Sequence, residues 1–350
     1  MVASSGAIDV ALLVPLRGPA GIFGPSCELC ARLAAEEVNA GAGVLGREIR
    51  LITVDGGAPP HQVADEIDLL VSGGAVDAVV GWHISAVREV VAPRIAGRVP
   101  YVYTALYEGG ERAPWVFLTG ETPARQLRPA LRWFGTELGV RRWAIVGDDY
   151  VWPRRSAAEV RSYLAELGGT LTDEIYVRLG TGDFGGVLGR LRATPCDAVL
   201  MLLVGDDAVA FNRQYGAAGI DALRFSPLME ENMLLATGSG GTRGLFAAAG
   251  YFAALPTAAG LDFDARYHHR FGITAPMLNS LGESCYEGVR LLAELLRRAG
   301  ELSARRMLEV SEGLGYDGPR GPVQVRARHL EQRMFLAVAD DLRFDVIADL

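Results

Sequence analysis

Two polar side chains stand where an apolar run gives way to a helical pattern: His83 and Ser85, in "VVGWHISAVREV", Val79 to Val90. A histidine and a serine two residues apart could be a base and its nucleophile, which would make the chain an amide hydrolase. That chemistry also needs a third group to orient the imidazole and a strained turn to expose the hydroxyl. The local string is G-W-H-I-S, not G-x-S-x-G. Ser85 has a simpler use as the N-cap of a helix starting at Ala86, where its hydroxyl would serve a backbone N–H. The free amides of such a helix start favour an oxygen carrying partial negative charge. Three acidic pairs, Asp148-Asp149, Asp206-Asp207 and Glu230-Glu231, could act as acid and base. Each lies at a strand end or helix start, where carboxylates favour the helix dipole in any case. Glu230 and Glu231, in "MEEN", are expected to overhang a cleft and accept from an NH₂ group.

The elements that carry these groups decide whether they share a site. "IDVALLVPL" reads as a strand, and "GPSCELCARLAAEEVNAG" as a helix with Ser26 as N-cap and Gly41 just past its end. "REIRLITVD", "VDAVVGW" and "VPYVYTAL" are further strands, separated by the helices "PHQVADEIDLLVSGG" and "SAVREVVAPRIAG". After "WVFLTGETPARQ" the series restarts, from helix "LRPALRWFGTELG" and strand "RRWAIVGDD" through to strand "RFSPLM". Repeated strand–helix–strand units build right-handed parallel sheets. The expected fold class is therefore α/β, with two Rossmann-like lobes on parallel-sheet cores. Helices "ESCYEGVRLLAELLRRAG" and "SARRMLEVSEGL" and strands "GPVQVRA", "RMFLAVAD" and "LRFDVIADL" close the chain. That order predicts three crossings between lobes, near Gly120, Phe252 and Gly318. Residues 7–120 and 253–318 then form one lobe, and 121–252 and 319–350 the other.

Ligands bind beyond the carboxyl ends of strands in open α/β sheets. That rule selects Trp82, His83 and Ser85, then Tyr103, Thr104, Ala105, Leu106 and Tyr107. From the second lobe it selects Tyr150 and Trp152, Gly205, and Glu230 with Glu231. Facing one another, these loops make an aromatic cleft with few charges, suited to a small, flat, polar but neutral ligand.

At 350 residues the chain exceeds what one core usually serves, and a net charge of −8 with no basic run argues against nucleic acid. Every fixed side-chain cation is arginine. No run approaches the ~20 apolar residues of a membrane span. Cys27 and Cys30 form "CELC", but no second such pair or paired histidines complete a metal site, and both fit the apolar face of a helix. No metal, cofactor or disulfide framework is expected. His61, His268, His269 and His329 lack ligand spacing and are expected at the surface.

The order "RGPAGIFGPS…AAEEVNAGAGVLGREIRLITVDGG" resembles the type I periplasmic-binding-protein fold over nearly the whole chain. "LYEGGERAPWVFLTGETPARQ", "VGDDYVWPRRS" and "GGTLTDEIYVRLGTGDF" are similar to one branch of it. That branch holds the amide sensor of the aliphatic amidase operon and the urea-binding components of ABC importers. Its signatures are a YEG-x-E string followed by a T-G-x-x-P turn, and a DY-x-x-P string; "GPRGPVQV" fits the last crossover. The resemblance implies that Ser85 holds the ligand's polar end and that Tyr103 and the Ala105 region form the first wall. Tyr150 and Trp152 would close from the second lobe, and Glu230 or Glu231 would meet an amide nitrogen. His83 and Trp152 stand where amide sensors tend to carry tyrosine, and Ala105 where they carry threonine.

The function expected is non-enzymatic: hinge closure on a short amide, urea-like or amino-acid-like molecule, read by a partner. As part of an importer that partner is an ABC permease, and the protein is extracytoplasmic once a leader is removed. As a ligand sensor of an amidase-type operon, with Met1 its native start, it is cytoplasmic and holds a regulatory protein. Pairing into a homodimer is left open by both readings.

Overall fold

The computed structural model describes residues 6–350. The first series is β1 (Ile8–Val14), α1 (Gly24–Ala40), β2 (Ile49–Asp55), α2 (Pro60–Ser72), β3 (Ala78–Gly81), α3 (Ser85–Ile95), β4 (Tyr101–Tyr103) and β5 (Val116–Leu118). The second is α4 (Leu127–Glu137), β6 (Arg142–Asp148), α5 (Val151–Leu167), β7 (Thr170–Val177), α6 (Gly185–Ala193), β8 (Ala198–Leu202), α7 (Asp206–Ala218), β9 (Leu223–Ser226), α8 (Glu231–Thr237) and β10 (Leu245–Ala249). The chain then forms α9 (Ala258–Phe271), α10 (Ser280–Ala299), α11 (Ala304–Ser311), β11 (Gly315–Gly318), β12 (Gly321–Arg326), β13 (His329–Glu331), β14 (Phe335–Asp340) and β15 (Arg343–Asp349).

Two sheets result, ordered β11-β12-β13-β5-β4-β3-β1-β2 and β15-β14-β10-β9-β8-β6-β7. The two parallel cores share one winding: the first strand of each series lies between its second and third. The strand order therefore reverses beside β1 in one lobe and beside β6 in the other, and a crevice opens at each reversal. Central strands such as "AVVG" of β3 and "AVLML" of β8 are buried throughout, as parallel strands covered on both faces must be. Edge strand β2, "IRLITVD", mixes exposed and buried positions.

Helices α1 and α10 press together through small side chains. A Cβ on Gly282 would lie 3.0 Å from the Cys30 sulfur of α1, and on the side of α10 that faces the first sheet one on Gly288 would lie 2.4 Å from the Thr104 methyl. Cys27, Cys30 and Cys285 are buried there as free thiols. Close packing of α10 brings its N-terminus, capped by Asn279, to the junction of the lobes.

Several expectations from sequence are corrected. The last crossing is not near Gly318: β11, β12 and β13 extend the first sheet, and the chain passes to the second only between Glu331 and Phe335. The tight turn at Ala327 and Arg328, both at positive φ, returns the chain onto β5. There Arg328 donates to the carbonyls of Val116 (3.1 Å) and Glu111 (3.2 Å), which pins the hairpin to the first lobe. Ser26 is not an N-cap; its hydroxyl donates to Phe23 O inside the first turn of α1. Helix α5 starts earlier than expected, at Val151, because Pro153 is tolerated in a first turn.

One buried guanidinium joins the crossings. Arg320, in the β11–β12 turn, pairs with Glu283 and donates to Glu121 (3.2 Å), Gln332 (2.6 Å) and Ser280 O (3.1 Å). Glu121 lies on the first crossing and accepts from Gly250 N on the second (3.1 Å), while Gln332 lies on the third.

Candidate functional site

The cleft lies between the two reversal points. Trp82, His83, Ile84, Ser85, Ala105 and Leu106 line it from the first lobe, and Tyr150, Trp152 and Leu228 from the second. Register Gly81↔Tyr103 between β3 and β4 sets the first-lobe loops side by side. Gly81 is obligatory at that strand end: a Cβ would sit 2.1 Å from Leu13 O. The walls meet so closely that they enclose only about 10 Å³, near the space of one water, so a larger guest must part the lobes.

Beneath the first-lobe wall lies a buried polar network. Ser85 Oγ donates to Glu108 Oε2 (2.7 Å) and receives Arg88 Nη1 (3.3 Å). Arg88 also reaches Glu108 Oε1 (2.7 Å) and, through Nε, Glu111 (2.9 Å), while lying over the rings of Tyr103 and Tyr107. Ser85 is therefore not the N-cap. Helix α3 begins at Ser85 itself, Ile84 occupies the cap position, and no side chain caps the helix. The carboxylate of Glu108 attracts the hydroxyl more strongly than a backbone amide would.

His83 does not touch Ser85. Its Nδ1 meets Ile84 O (3.3 Å), which a carbonyl permits only if that nitrogen carries the proton, so Nε2 accepts from the Tyr101 hydroxyl (2.7 Å). Burial pushes the ring's pKa down to about 3, and the imidazole is a neutral wall. With both nitrogens engaged and the serine proton held by Glu108, this geometry is not a base–nucleophile pair.

The remaining expected positions stand back from the cleft. Tyr103 donates its hydroxyl to His83 O (2.8 Å), and Thr104 faces Cys285 on α10. Tyr107 pairs with His329 Nε2 (2.5 Å), so His329 is half-buried rather than a surface residue. Gly205 faces the first lobe: Asp206 N donates to Pro19 O (2.9 Å), and a Cβ on Gly205 would lie 2.0 Å from that oxygen. Glu230 and Glu231 are also engaged elsewhere. Glu230 accepts from Ser280 N (2.7 Å) at the start of α10, and Glu231 from Ala253 N (2.7 Å). Burial raises both carboxyls, that of Glu231 to about 7.

Sequence reasoning missed Ile84 and Leu228 as wall residues, and Arg88, Glu108 and Glu111 as the support beneath. The recurrence of glutamates in "YEGGE" after a helix that carries an arginine among apolar residues was the available signal.

Further contacts join the lobes across the cleft. Asn232 donates to Ile22 O (2.8 Å), and Arg155 reaches Glu89 (2.8 Å) and Glu108 (3.5 Å). A wider hollow, about 650 Å³, lies elsewhere, on the outer face between Arg125, Tyr316 and Arg333. Its arginines are already paired with Glu331 and Asp349, so it offers a ligand little. Among the described residues no group of side chains is placed to hold a metal, and no helix is long and apolar enough to cross a membrane.

Comparison with known proteins matches residues 7–342 to a family model described as periplasmic binding protein. A Leu/Ile/Val-binding protein homologue of Brucella suis biovar 1 is 23% identical, the match covering 95% of this chain and 88% of that protein. Two solved structures share the fold. One is the solute-binding protein of an ABC transporter from Rhodopseudomonas palustris HaA2 in complex with p-hydroxybenzoic acid. It is 21% identical with a TM-score of 0.88, covering 98% of this chain and 96% of that one. The other is a branched-chain amino acid transporter substrate-binding protein from Streptococcus pneumoniae in complex with isoleucine. It is 16% identical with a TM-score of 0.85, covering 97% and 99% of the two chains.

Proposed function

Because the chain belongs to the periplasmic binding protein family, we propose that it is a solute-binding protein that closes on a small neutral molecule and presents it to an ABC permease. The observation that carries the ligand class is the absence of an unengaged charge among the nine wall residues. Arg88, Glu108, Glu230 and Glu231 lie close by, but each is matched inside the protein. A free amino acid would bring an ammonium group with no carboxylate to meet it, and burying that charge unpaired is costly. The polar groups that remain on the first-lobe wall are the Ser85 hydroxyl oxygen, the uncapped start of α3, and the buried indole N–H of Trp82, which lacks a partner among the described residues. A carboxamide or urea carries a matching acceptor and donor on one planar group. Tyr150, Trp152, Leu106 and Leu228 suit a short apolar body beside it.

Closure supplies the mechanism. The first-lobe wall is organised before the guest arrives, and Tyr150 and Trp152 reach it only as the second lobe swings in. Contacts made only in the closed form shift the equilibrium toward it. The test is a thermal-shift and calorimetry series with acetamide, propionamide, benzamide and urea against their acids and against leucine and isoleucine. At about 100 times its dissociation constant, a ligand stabilises by about 2.7 kcal/mol, enough for a clear rise in Tm. Amides or ureas should give that rise. Stabilisation by leucine or isoleucine alone would sink the neutral-ligand reading.

A further inference from the structure

We infer that Glu108 is a positioning residue for specificity: it fixes Ser85 as a hydrogen-bond acceptor toward the cleft, so that the site selects ligands whose polar end brings a proton. The inference rests on the cleft reading given above and deepens it. Ser85 has one proton, and Glu108 Oε2 holds it at 2.7 Å. The Glu108 side chain is fully buried, and its other oxygen faces the Arg88 guanidinium, so this carboxylate accepts and cannot donate.

Arg88 cannot turn aside to release the arrangement. Its Nε is held by Glu111, and its guanidinium carbon lies 5.2 and 4.8 Å from the Tyr103 and Tyr107 ring centres. It also meets one Ser85 lone pair from behind, at 3.3 Å. What Ser85 offers the cleft is its second lone pair. The nearby Tyr103 hydroxyl gives its proton to His83 O, so that group does not replace the missing donor. Trp82 lines the same wall with an indole N–H that has no partner. Acceptor and donor together complement the NH₂ and C=O of an amide or urea. A carboxylate in the same place sets a lone pair against the Ser85 lone pair.

Glu108→Gln tests this with almost no change of shape. The amide oxygen keeps the Arg88 contact, and the NH₂ now donates to Ser85, turning the serine proton into the cleft. Dissociation constants for propionamide against propionate, and benzamide against benzoate, are measured by calorimetry on the full chain. In the native protein each amide should bind more tightly than its acid. Glu108→Gln should shift that ratio toward the acid by tenfold or more. Glu111→Gln removes the same charge from the same guanidinium without touching Ser85, and should leave the ratio within about twofold. Equal shifts in both variants would mean that charge, not hydrogen-bond direction, sets the preference, and would overturn the inference. So would an unchanged ratio in Glu108→Gln.

Should Glu108→Gln fail to fold, Ser85→Ala decides. Loss of affinity greater for propionamide than for propionate supports the acceptor role, and the reverse overturns it. A native protein that binds none of these probes refutes the cleft reading itself, whereas binding with an unmoved ratio refutes only the role of Glu108.

Discussion

Two arginines are buried in this molecule among glutamates, and they do different work. Arg88 lies within one lobe, and its partners Glu108 and Glu111 come from a single loop of that lobe. Arg320 lies where the chain passes between lobes and touches two of the three crossings directly and the third through Glu121. The chemistry is nearly the same in both places. What differs is whether the partners move together. A guanidinium whose partners belong to one body makes that body rigid, and one whose partners belong to several strands fixes the axis about which the bodies turn.

The comparison is best broken at Arg320. Arg320→Met strands Glu283 and Glu121 in the interior, and removing one member of a buried pair costs about 3–5 kcal/mol. Calorimetry should show a large fall in Tm, and small-angle scattering a wider spread of lobe separations. Arg88→Met should cost somewhat less, about 2–4 kcal/mol, because Glu111 is partly exposed and water can reach it. Its signature should be loss of ligand affinity with the lobe separation unchanged. If both variants alter lobe separation alike, the distinction between the two arginines is wrong.

Glu230 and Glu231 sharpen the contrast, since they are buried carboxyls held by backbone N–H groups and no arginine. Burial holds the Glu231 carboxyl up at about 7, above its ordinary value near 4.3. A raised carboxyl favours its protonated form in the folded state. Its contribution is therefore fully present below about pH 4.3 and is lost as pH rises through about 7. Glu231→Gln should remove that loss, so the difference in unfolding free energy from the native protein should grow between pH 5 and 8 to about 2–3 kcal/mol. Parallel pH profiles would refute the assignment. The smallest effect belongs to Arg155, whose side chain is 58% exposed where it bridges to Glu89. Arg155→Ala should change ligand affinity by less than about 1 kcal/mol, and 0.5 M salt should erase the difference.

What the sequence makes legible follows from distance along the chain. Local periodicity identifies β3, β8 and the amphipathic helices, and the strand-end rule reaches Trp82, His83, Ser85, Ala105, Tyr150 and Trp152 on the cleft walls. β10, "LFAAA", is hidden because alanine carries no strand signal, and its neighbours in the sheet alone make it a strand. Glu230 illustrates the other limit. Its position at a strand end points to the cleft, but the start of α10, fifty residues later, takes its carboxylate. The wiring of Ser85 is equally remote, since Glu108 lies 23 residues away and nothing local distinguishes it from a surface glutamate. The last crossing is misplaced for the same reason: Arg328 is pinned by carbonyls more than 200 residues earlier.

The hydrogen bonds from Asp206 N to Pro19 O, from Asn232 to Ile22 O and from Ser280 N to Glu230 join the lobes without involving any guest atom. They stabilise a shut protein carrying nothing as much as one carrying cargo. A permease that senses only shape would therefore receive false arrivals. Each additional 1.4 kcal/mol or so of such guest-independent bonding multiplies the shut, empty population about tenfold while the shut-form population is small. In an importer, the fidelity of delivery would then rest on the excess of loaded over empty shut molecules, and closure that is too easy would degrade the message while every binding contact stayed intact.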